Sequence, residues 1–188
     1  MKKLLLVISI LMAVTLSGCG NSTGDATQSG GNDSAKDSGD VSLTKKDAKA
    51  CGILTEQVAK QFLNAALQPV QEAPAQSPTE DLVVTNCNYI TQGDVTSLDQ
   101  MKQAGLMIRA AQNSSGAADN DSGFKLQRLN TDQEVSGYGD DAFWSPSTGL
   151  FNILKNHNWY TITAGSVKPD VRTLEDAKKL ADILIDKF

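Results

Sequence analysis

Asp141-Ala142-Phe143-Trp144-Ser145-Pro146-Ser147-Thr148-Gly149-Leu150-Phe151-Asn152-Ile153-Leu154-Lys155-Asn156-His157-Asn158-Trp159-Tyr160-Thr161-Ile162-Thr163-Ala164 holds three short apolar runs divided by two turn segments. The runs are Asp141 to Trp144, Leu150 to Lys155 and Trp159 to Ala164. Between them, Ser145-Pro146-Ser147-Thr148-Gly149 and Asn156-His157-Asn158 supply the Pro, Gly and Asn that reversals of the chain favour. Short runs of β-branched and aromatic residues with such turns predict an antiparallel meander of three strands.

Toward the C-terminus, Leu174, Ala177, Leu180, Ala181, Leu184 and Phe188 fall at helical spacing, and Glu175 and Lys179 pair at i, i+4. Thr173 caps this helix, with Asp176 three residues on in the manner of a capping box. Toward the N-terminus, apolar residues at 54, 58, 59, 62, 63, 66 and 67 predict another helix. Thr55 is its N-cap, Glu56 suits the positive helix end, and Pro69 stops it. Gln68 to Asp81 reads as a loop. Val83 to Thr91 reads as a strand with Cys87 and Tyr89 on one face. Leu98 to Ala104 is expected to be a short helix, Gly105 to Gln112 a strand, and the Asn-, Ser- and Asp-rich Asn113 to Gly123 an exposed loop. The sum is α+β: an antiparallel sheet of about five strands with N-terminal and C-terminal helices packed against it. Residues 47–188 match the common size of one domain.

Residues 1–18 have the shape of a secretory signal: Lys2 and Lys3, an almost wholly apolar Leu4 to Leu16, then small residues. The apolar run is about thirteen residues, against roughly 20 for a transmembrane helix. Leu16-Ser17-Gly18-Cys19 resembles the bacterial lipobox, which implies lipid on the Cys19 thiol and cleavage before it. Two or three acyl chains hold more firmly than one myristoyl chain. Residues 19–46 follow as a tether of Gly, Ser, Asp, Asn, Thr and Lys with too little apolar surface to fold. As a random coil of about 27 residues at roughly 5–6 Å × √n, it reaches about 30 Å. The expected location is extracytoplasmic and lipid-anchored. Gly20, in place of Asp, permits outer-membrane sorting in a host that has an outer membrane.

Lys and Arg number 17 against 22 acids, a net charge of -5 that becomes -7 once Lys2 and Lys3 leave with the signal. An acidic domain lacks the basic patch that nucleic acid binding requires. Cys51 and Cys87 remain after Cys19 is committed to lipid. An even pair in an exported domain most simply makes one bridge. The alternatives are weaker: zinc wants four N/S ligands, and the one other such side chain is His157. A redox pair reads C-x-x-C, whereas these two lie 36 positions apart.

Cys51-Gly52-Ile53-Leu54-Thr55 opening a helix, Asn86-Cys87-Asn88-Tyr89 in a strand, and Val135-Ser136-Gly137-Tyr138-Gly139-Asp140-Asp141-Ala142-Phe143-Trp144 together carry a resemblance. With the lipobox and tether, they are similar to a family of actinobacterial envelope lipoproteins known only as a domain of unknown function. The resemblance covers most of residues 50 to 188. It implies a disulfide between Cys51 and Cys87, an extracytoplasmic domain and no assigned activity. In architecture alone the domain is also similar to a PsbP-like sandwich.

Candidate chemistry is sparse. Gly137-Tyr138-Gly139-Asp140-Asp141 can be a ligand loop, but Ala142 stands where G-x-G-x-x-G needs glycine, and a tight turn explains it as well. Asp119-Asn120-Asp121-Ser122-Gly123 fails the register of a calcium loop. His157, the single histidine, lacks a G-x-S-x-G elbow to serve. Tyr138, Trp144, Trp159 and Tyr160 cluster in the meander, where they form either core or a binding face. The candidate binding residues are therefore Tyr138, Asp140, Asp141, Trp144 and Trp159, with no catalytic residue, metal or cofactor expected. The functional expectation is a non-catalytic envelope module that binds a protein or small ligand. The alternatives are a small envelope hydrolase, which needs converging acids, and a lipid carrier with an apolar cavity.

Overall fold

The computed structural model describes residues 49–70, 79–93 and 98–188. The signal, Cys19 and the tether lie outside the described residues. Ala50–Ile53 (α1) and Glu56–Leu63 (α2) open the domain. The Thr55 hydroxyl accepts from the Val58 amide at 3.4 Å, the expected cap. Asn64 takes the left-handed conformation at φ 48° and its N–H bonds to Lys60 O, which ends α2 at Leu63. The expected continuation to Leu67 therefore fails. Leu67 instead pairs as an isolated bridge with Thr91.

Leu82–Ile90 (β1) pairs along its whole length with Lys102–Ala111 (β2). The helix expected over Leu98 to Ala104 shrinks to one 3-10 turn, Leu98–Gln100. Lys102, Gln103 and Ala104 are drawn into β2 because Ser166, Gly165 and Ala164 pair with them from the other side. Two ladders outweigh a weak local preference. The largest correction is Ser114–Gln127 (α3), which replaces the expected loop. The Asn113 side chain caps it, accepting from Gly116 N at 3.0 Å. Its buried positions are Gly116, Ala117, Asn120 and Phe124, a helical spacing filled mostly by small or polar residues.

Gln133–Glu134 (β3) is a two-residue edge strand. Asp141–Ser145 (β4), Leu150–Lys155 (β5) and Asn158–Ser166 (β6) form the expected meander. Lys155 pairs with Asn158, leaving Asn156 (φ 51°) and His157 (φ 60°) as a two-residue turn of the kind that suits strand twist. Leu174–Leu184 (α4) closes the chain, capped by Thr173 as expected. All pairings are antiparallel, and the sheet runs β1-β2-β6-β5-β4-β3.

Alternation along the strands divides the sheet into two faces. Ala104, Leu106, Ile108 and Ala110 of β2, with Tyr160, Ile162 and Ala164 of β6, join the main core under α1, α2 and α4. Cys51 and Cys87 form a disulfide, with Cα atoms 5.0 Å apart, that ties α1 to β1. The opposite face carries α3 and a small second core of Phe124, Phe143, Leu154 and Trp159. Among the described residues, no helix is long and apolar enough to cross a membrane.

Candidate binding face

α3 covers the second face only in part. It is held by Asn120, which is fully buried. Its Nδ2 donates to Arg109 O (2.9 Å) and His157 O (2.8 Å), and its Oδ1 accepts from Arg109 Nε (3.2 Å). Beyond the helix, the same face opens into two adjoining cavities of about 310 and 180 Å³, which share Met107, Leu150 and Thr161. The larger sits within the lower range of small-molecule sites, about 300–1,000 Å³.

The floor is polar because each strand turns its non-core residues this way. In the larger cavity these are Asn86 and Asn88 of β1, Gln103 and Gly105 of β2, and Thr163 of β6. A Cβ on Gly105 would lie 3.0 Å from Asn88 Oδ1 and 3.3 Å from Thr163 Cβ, so glycine keeps the floor low in the middle of a central strand. Interior glycine in a strand weakens it and marks a close approach. Arg172 forms one wall. Its Nε, Nη1 and Nη2 donate to the carbonyls of Ser166, Thr148 and Val167. Burial pulls its pKa below the ordinary value. A guanidinium has donors only, so the Gln103 amide turns its oxygen to Arg172.

In the smaller cavity Asn152 is decisive. It is 4% exposed, and its Oδ1 accepts from Trp159 Nε1 and Thr161 Oγ1, both at 3.0 Å. Indole N–H is a donor only, which fixes the amide orientation. The Nδ2 group therefore faces elsewhere, and it donates to nothing among the described residues. Among the described residues the buried side-chain atom left without a hydrogen bond is Asp121 Oδ1, so the Asn152 Nδ2 group stays open to the cavity. Arg109 lies beside it, its Cζ 5.3 Å from the centre of the Trp159 ring.

The residues singled out in the sequence are scattered. Trp144 is 5% exposed and in the main core, whereas Trp159 is 7% exposed and in the second core on the opposite face. Tyr138 packs edge-on against Phe151 and donates to Asp182 Oδ1 at 2.8 Å. Asp140 accepts from Asn156 N at 2.7 Å, and its own N–H donates to Leu154 O. Asp141 lies 3.6 Å from Arg128. Gly139, at φ 61°, leaves no room for a Cβ, which would come 2.3 Å from Leu154 O. The Gly-Tyr-Gly-Asp-Asp run thus clamps the β5–β6 turn. Of these residues, Trp159 alone lines the open face.

His157 bonds through Nδ1 to Asp121 Oδ2 at 2.9 Å. Ser145, the last residue of β4 and paired with Leu150 at the far end of β5 from that turn, bonds to Asp132 Oδ1 at 2.9 Å. The structure does not bring the two together. The floor residues Asn86, Asn88, Gln103, Asn152 and Thr163 are not among the binding candidates that the sequence offers. Their signal was alternation with core residues, as in Asn86-Cys87-Asn88-Tyr89. Comparison of the chain with protein-family models, curated proteins and solved structures finds no match.

Proposed function

We propose that the protein is an envelope lipoprotein, exported, lipidated at Cys19 and tethered by residues 19–46. In this reading it is a non-catalytic binding module whose small ligand occupies the half-covered sheet face. The observation that carries the binding reading is Asn152: a residue 4% exposed whose NH₂ group, at the wall of the smaller cavity, donates to nothing among the described residues. The location rests on Leu16-Ser17-Gly18-Cys19 after an apolar run.

The anchoring is tested by expressing the full chain in a bacterium fed an alkyne-tagged palmitate. The expected result is a labelled protein in the membrane fraction and no label on Cys19→Ser. An unlabelled wild-type chain, or equal labelling of the two, would remove the lipoprotein assignment.

A further inference from the structure

Among the described residues, every ionisable side chain that lines the two cavities is an arginine: Arg172 in the larger and Arg109 in the smaller. This occurs in a chain of net charge -5. Neither arginine has a carboxylate partner among the described residues. Arg172 directs its donors at carbonyl oxygens, so its hydrogen bonds are largely satisfied while its charge is not. Arg109 meets an amide oxygen and an aromatic ring, again without a counter-charge. A partly buried cation left without an anion is costly, and an incoming anion offsets that cost.

The neutral groups point the same way. Asn152 turns to the smaller cavity an NH₂ group that donates to nothing among the described residues, and Gln103 is oriented with its oxygen on Arg172 and its NH₂ away from it. Donors beside a cation ask for acceptor oxygens. Between the arginines, Asn88 and Thr163 can each donate and accept, and Thr161, whose O–H goes to Asn152, can still accept, which suits hydroxyls. Gln103, Gly105, Met107 and Arg109 share one row along β2. That row spans about 20 Å at roughly 3.4 Å per residue, so the ligand is elongated.

We propose that the open face binds an anionic, hydroxyl-bearing chain, with its oxyanions toward Arg172 and Arg109 and its hydroxyls on the amide and threonine floor. The inference rests on reading this face as the ligand site. Carboxylate and phosphate both meet the chemistry, as an acidic saccharide or a polyol phosphate.

The test is calorimetric titration of the full chain in detergent with three probes: a hexuronate tetramer, a glycerol phosphate oligomer and a neutral glucan tetramer. Two variants accompany it, Gln103→Glu and Asn152→Asp. Each keeps the oxygen that the fold uses and replaces the NH₂ with a charged oxygen. At least one acidic probe is expected to bind about tenfold or more tightly than the glucan. Each variant is expected to weaken that binding about tenfold or more while its near-ultraviolet dichroism stays that of the wild type. Which acidic probe binds separates carboxylate from phosphate. Glucan bound as tightly, and lost in Asn152→Asp, would keep the site and overturn the oxyanion. Acidic binding untouched by both variants would place the ligand elsewhere and overturn the face itself. No binding by any probe overturns the inference.

Discussion

Asn120 does at one position what a row of leucines does elsewhere. Its three side-chain hydrogen bonds, each partly buried, tie α3 to β2 and to the β5–β6 turn, and the residue itself is fully buried. Replacing it with alanine leaves Arg109 O and His157 O without that donor. At about 1–3 kcal/mol for an unsatisfied buried group, Asn120→Ala should destabilise the domain by about 2–4 kcal/mol. Urea unfolding of the variant against the wild type measures this, and a loss under about 0.5 kcal/mol would show that water replaces the amide. The same residue explains a misreading. Asn113 to Gly123 looks like loop because Ser, Asp and Asn favour caps and turns, and the helix interior buries glycine, alanine and asparagine. The candidate face was hidden for a related reason. Asn86, Gln103 and Thr163 alternate with core residues just as solvent-facing strand residues do. Only the position of α3 and Arg172 turns that face from surface into cavity.

At the scale of elements, two tyrosines hold the C-terminal segment, Tyr138 from the loop ahead of β4 and Tyr160 from β6. Tyr138 donates to Asp182 on α4, and Tyr160 stacks on Phe188 with ring centres 4.1 Å apart. Burial, then the hydrogen bond and charge of Asp182, push Tyr138 up to about 12. Burial pushes Tyr160 up to about 12 as well, against a smaller lowering by Asn158. In the unfolded chain both ionise near 10. Between pH 10 and 12 the unfolded state therefore binds fewer protons, so stability is whole below 10 and falls as pH rises through 12. Absorbance at 295 nm should show two tyrosines ionising near 12, with loss of the α4 dichroism over the same window. Ionisation near 10 with the fold intact would contradict the packing of α4. The meander and the α4 cap were legible because period, turn residues and cap agreed. The ends of α2 and β2 were not, because a left-handed Asn64 and a second pairing partner decide them, and neither is a local property of sequence.

For the whole molecule, α+β class and the antiparallel sheet followed from the strand runs, while the sixth strand is a two-residue edge too short to leave a pattern. The disulfide gives the domain a further property, a mechanical one. Tension on the chain ahead of Ala50 reaches Cys51 and passes through sulfur to Cys87, bypassing α2 and the start of β1. It then loads the β1–β2 ladder, nine residue pairs long, along the strands. Stretched between its ends in an optical trap, the oxidised chain should open to a contour about 120 Å shorter than the reduced chain, given a separation of 36 residues at roughly 3.3–3.6 Å each. Equal contours would mean that the bridge does not carry the load. A module hung from a membrane by its N-terminal arm would then feel every tug at the rim of its sheet, with α2 left slack and the load entering between Asn86 and Asn88, two floor residues of the open face.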